Sequence, residues 1–67
     1  MLSPVEKKTI IQMKINQLER QKYELELNLK LYECSFERAE IIAATEEGIV
    51  KHQKMIEVLT EELKGLV

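Results

Sequence analysis

The chain has 67 residues, ten Lys and Arg against twelve acids, and a formal net charge of −2. That length allows one structural unit, 1–67, and the slight acidity makes nucleic acid a secondary expectation as partner. Ala, Glu, Lys, Leu and Arg make up about half of the residues, with two Gly and one Pro, which is the composition of long helices and coiled coils. Every acid is Glu, which suits helix interiors better than Asp does.

Small size limits the interior that such a chain can build. Three aromatics add little bulk, and Cys34, the single cysteine, rules out an intrachain disulfide. Chains of this size usually complete their core by oligomerisation or with a partner. No stretch is apolar enough for a membrane span, and no charged-then-apolar leader opens the sequence. With one free thiol, the expected location is the cytoplasm.

The first helix is announced by Ser3-Pro4-Val5-Glu6, a capping box with proline at the first helical position. No Gly or Pro interrupts the chain from there to Ala44. Residues 23–31 alternate polar and apolar, but Leu, Glu and Lys are helix formers and no β-branched residue occurs there, so they belong to the helix.

On a helix the apolar residues divide into two stripes. Stripe one runs Ile11, Ile15, Leu18, Leu25, Leu29, Tyr32 and Phe36, continuing to Ala39 and Ala43, with Lys22 in the gap. Stripe two runs Leu27, Leu31, Cys34 and Ile41 or Ile42. It resumes in the C-terminal segment as Ile49, His52, Ile56, Leu59, Leu63 and Leu66, offset by about one residue from stripe one. Thr45-Glu46-Glu47-Gly48 is the expected place for that change, with Thr45 as cap and Gly48 tolerating unusual backbone angles.

The expected fold is therefore all-α: an antiparallel helical hairpin with a long helix over about 4–44 and a short one over about 46–64. Lys64-Gly65 ends the second helix as a cationic last turn followed by a C′ glycine. The short helix is expected on stripe two, leaving stripe one for an oligomeric coiled coil or helix bundle. One continuous helix is the alternative. A fold at Cys34-Ser35, with arms of equal length, ranks third because it brings acidic stretches together.

With stripe one at heptad positions a and d, Glu19, Glu26, Glu33, Glu40 and Glu47 recur at e, while Lys7 and Lys14 open the g positions. Self-pairing in register and antiparallel would oppose glutamates. A parallel pair would set Lys14 against Glu19, so the pattern favours parallel self-pairing or a partner rich in Lys and Arg. Lys14, Glu19, Glu26, Glu33 and Glu40 form the candidate charge-pairing edge.

Candidates for chemistry are few. His52, the only histidine, has Ile49 and Gly48 where a Glu-x-x-His metal pair needs a carboxylate. Cys34 lies between Glu33 and a nearby Glu37, opposite to the electropositive setting of a reactive thiolate, and is expected as a small core residue. Glu33, Glu37 and Glu40 share a helix face and are expected to be solvated. No catalytic, metal or cofactor residues are assigned. Residues 1–22 carry a net charge of +3, which leaves a helical hairpin binding RNA or DNA as the alternative function. The principal expectation is a non-enzymatic interaction protein, a homo-oligomer (dimer or tetramer) that regulates, inhibits or bridges another protein.

Overall fold

A computed structural model of the chain describes residues 1–35 and 38–66. Helix α1 spans Pro4–Cys34 and helix α2 spans Ala39–Gly65. The two pack against each other as an antiparallel hairpin of 50 × 17 × 14 Å. The all-α hairpin is the expected class; the division of the chain is not the expected one.

The serine cap and the proline at the start hold. Ser3 is extended at φ −73°, ψ 160°, and its Oγ accepts from the Glu6 amide at 3.1 Å, while its carbonyl accepts from Lys7 at 3.0 Å. One of the orphan amides of the first turn is thereby satisfied.

Helix α1 stops at Ser35 instead of running to 44. The Ser35 amide closes the last turn on the Leu31 and Tyr32 carbonyls, and its hydroxyl donates to the Leu31 carbonyl. Arg38 is extended, and its carbonyl accepts from Ile41 and Ile42 to begin α2. The third-ranked layout, equal arms folded near Ser35, is the observed one.

Residues 45–48, read from the sequence as the turn, lie inside α2. Thr45 is buried, and its hydroxyl donates to the Ile41 carbonyl at 2.8 Å, so it bonds back along the helix instead of capping a new one. Gly65 is the last helical residue and Leu66 the cap, its amide on the Leu63 carbonyl.

The reason lies in the spacing. Ile42, Thr45, Ile49, His52, Ile56, Leu59, Leu63 and Leu66 follow one unbroken three-four heptad alternation, and all are buried or half-buried. The change of register therefore precedes Ile42. Ala39 and Ala43, counted in stripe one, are exposed. On α1 the inward row is stripe one, Ile11, Ile15, Leu18, Lys22, Leu25, Leu29 and Tyr32.

The stripes have thus exchanged roles. Stripe one closes the hairpin, whereas Leu27, Leu31 and Cys34, expected inside, are exposed. Stripe one is longer and keeps heptad phase for three heptads, so it buries more apolar surface against α2 than stripe two could. Even so, Ile15 and Ile56 are the buried large apolar residues among those described. Each is worth about 1.5–3 kcal/mol of apolar transfer. The core is thin.

Candidate functional site

Two approaches across the seam fix the register. Lys22 Nζ donates to Gln53 Oε1 at 2.6 Å, and Gly48 comes up against Leu25. Lys22 also lies 3.9 Å from Glu26 Oε1, and Gln53 Nε2 donates to Glu57 Oε1 at 3.3 Å. The lysine at the a position therefore does more than reach for water. It starts a polar chain from Glu26 through Lys22 and Gln53 to Glu57 that ties the helices together at mid-length.

That chain marks one flank of the seam. Glu19, Lys22, Tyr23, Glu26, Gln53 and Ile56 line a shallow depression there. Glu33 on α1 and Glu46 on α2 share the same heptad position, so with Glu19 and Glu26 carboxylates predominate on this flank from Glu19 to Glu33. The glutamate row of α1 does not meet a matching row. Of the α2 e positions only Glu46 is acidic; Gln53 and Thr60 hold the next two, and these neutral residues across the seam lessen the repulsion expected of an e-to-e pairing.

The other flank is different. It holds a groove of about 490 Å³ with an apolar floor of Leu18, Met55, Val58 and Leu59. Lys14, Gln17, Gln21 and Lys54 form its rim, and no carboxylate lines it. Met55 is 43% and Val58 63% exposed, although both sit beside the seam. They lie next to each other in the helical wheel, at g and c positions on the same side of Ile56, and so project past the hairpin's own core.

The residues singled out in the sequence are distributed as follows. Ile15 is buried, and Ile11, Leu18, Leu25, Leu29 and Tyr32 are half-buried against α2, so the expected outward seam is the intramolecular one. Leu18 alone of these also reaches the groove. Phe36 lies outside the described residues, as does Glu37. Lys14 is on the groove rim, away from Glu19. Glu40 is not a member of the α1 row; it occupies the first turn of α2, where a carboxylate complements the helix dipole.

Met55, Val58 and Lys54 escaped notice in the sequence. Their signal was two large apolar residues three apart, outside the a and d row of their own helix.

His52 is half-buried with Nδ1 2.8 Å from the Gly48 carbonyl, a bond made when Nδ1 carries the proton. It lies level with Lys22, about three helical turns from Cys34. Among the described residues no group of three His, Cys or Glu side chains could hold a metal ion, and no helix is long and apolar enough to cross a membrane. Comparison with protein-family models, with characterised proteins and with solved structures finds no match to this chain.

Proposed function

We infer that the chain is a non-enzymatic protein–protein interaction module, a small oligomeric helical regulator, inhibitor or assembly adaptor that binds through exposed helix faces. One observation carries this. The hairpin exposes 5410 Å², whereas a compact globular chain of 7.9 kDa exposes roughly 4,400 Å². The excess of about 1,000 Å² is close to what one partner contributes to a standard protein interface. A groove with an apolar floor runs through that surface.

The absence of Asp, the single His and the separation of Cys34 from His52 support a binding role over a catalytic one. A single free thiol agrees with action in the cytoplasm. Nucleic acid is the alternative partner, resting on Lys7, Lys8, Lys14, Arg20 and Lys22. Lys22 is engaged by Gln53 and Glu26, which withdraws it from that strip and favours protein.

A photo-crosslinking residue at Val58, on the groove, and another at Lys30, on the far flank, test the role in cells. Discrete protein adducts from the Val58 site and none from the Lys30 site are expected. Equal labelling from both, or nucleic-acid adducts alone, would contradict it.

A further inference from the structure

We propose that the groove flank is the seat of a second copy of this chain, giving a four-helix bundle in which α1 of each hairpin lies along α2 of the other and both turns point to the same end. The pairing rests on the interaction role inferred above and names the first partner.

Area is the first support. The elongated hairpin has about 1,000 Å² more surface than a compact chain, room for the roughly 800 Å² that each side of a stable interface buries, and exposed Leu31, Ile41, Met55 and Val58 lie on this flank. Continuity is the second. Residues seven apart lie on one side of a helix, so the groove extends along the hairpin beyond its lining residues. On α2 it passes from Val58 through Lys51 to Ala44, and from Met55 to Gly48 and Ile41. On α1 it passes from Gln17 through Glu24 to Leu31, which is 62% exposed. Small residues near the turn let a second backbone come close, and large apolar ones supply contact beside them.

Charge decides the orientation. Lys14 and Val58 line one groove, so Lys14 stands level with the turn between Val58 and Glu62. In the register set by Lys22 with Gln53 and Gly48 with Leu25, Glu24 stands level with Lys51. At these two levels the flank therefore carries one cation and one carboxylate, on opposite helices, while Lys54 stands level with Gln21. A two-fold axis along the bundle lays α1 on the partner's α2 at the same level, setting Lys14 over Glu62 and Glu24 over Lys51 in the second copy. All neighbouring helices are then antiparallel, as in an up-down bundle. A two-fold axis across the bundle would instead bring Lys51 against its own copy and leave Lys14 without a carboxylate. The acidic flank, with Glu19, Glu26, Glu33 and Glu46, repels its own copy and stays outside.

The test uses the full chain in purified form, with mass followed by sedimentation across a dilution series. Wild type should pass from dimer to monomer on dilution. Val58→Glu, at an exposed position off the hairpin seam, should remain monomeric with unchanged helicity. Lys14→Glu and Glu62→Lys should each weaken the dimer at least tenfold alone, and an equimolar mixture of the two should recover it. Recovery by mixing is specific to contact between copies, because contacts within one chain are not repaired by the other.

Spin labels on the lone Cys34 report orientation. Two labels separated by well under the 50 Å length of the hairpin are expected. A wild type that stays monomeric when concentrated, variants that dimerise like wild type, mixtures that recover nothing, or labels a full hairpin length apart would each overturn the proposal. A monomer in solution whose Val58 site still crosslinks a different protein in cells would sink this pairing and leave the interaction role standing.

Discussion

Gly48 approaches Leu25 so closely that a Cβ built on the glycine would stand 3.3 Å from Leu25 Cδ1. The glycine is helical and lies inside α2, so it serves close packing across the seam and not a change of direction. Glycine costs a helix interior about 1 kcal/mol relative to alanine. The Leu25 methyl is the far end of a flexible side chain and can move by a few tenths of an ångström. Gly48→Ala should therefore stabilise the hairpin by roughly 0.5 kcal/mol, whereas Gly48→Leu should destabilise it by at least 1 kcal/mol through overpacking. Urea unfolding followed by circular dichroism checks both. A Gly48→Ala variant less stable than wild type would show that the seam has no slack there.

The same position explains how the sequence misleads. A lone glycine after Thr45-Glu-Glu resembles a boundary, and only the heptad alternation from Ile42 through Thr45 to Ile49 shows that none exists. Thr45 hides the pattern, because a threonine in a d position looks like a cap until its hydroxyl is seen to bond to Ile41. Ala39 and Ala43 prolonged stripe one past its end, being compatible with a core row yet too small to require one. By contrast Ser3-Pro4 was legible, since a serine cap and a proline at the first helical position each fit few other contexts. The real turn was weakly marked: Ser35 carries neither glycine nor proline beside it. The apolar floor of the groove was not legible, for it depends on which face α2 covers.

The core rests on two residues. Ile15→Ala and Ile56→Ala should each cost about 2–4 kcal/mol, the lower part of the range applying if the helices close in on the gap. Val50→Ala, exposed on the other flank, should change stability by less than about 0.5 kcal/mol. Unfolding midpoints at one fixed protein concentration give the comparison. Equal effects at all three positions would mean that the seam is not where it is drawn.

Lys22 is half-buried at mid-seam, held by Gln53 and Glu26. Its part-burial costs desolvation that these partners offset incompletely. Lys22→Leu is expected to raise stability by about 1 kcal/mol while loosening the choice of pairing register. Sharp methyl resonances in wild type and broadened ones in the variant, despite its higher midpoint, would show both effects. A fall in stability would mean that the polar chain from Glu26 to Glu57 contributes more than the buried leucine.

The turn position has a direct chemical readout. Arg38 is exposed and extended, while Lys51 is helical and pairs with Glu47 at 3.6 Å. Limited trypsin digestion should cut first after Arg38, because proteases need an unfolded backbone at the cleavage site. First cleavage after Lys51 would restore a break in the 45–48 region.

A two-helix unit with so thin a core should depend on a second chain for much of its stability. Thermal melting of wild type followed at several protein concentrations measures this dependence most directly, since association stabilises by mass action. The midpoint is expected to rise steadily with concentration, and the Val58→Glu variant to melt at a lower midpoint that dilution leaves unchanged. A wild-type transition that is cooperative and identical at every concentration would contradict the account.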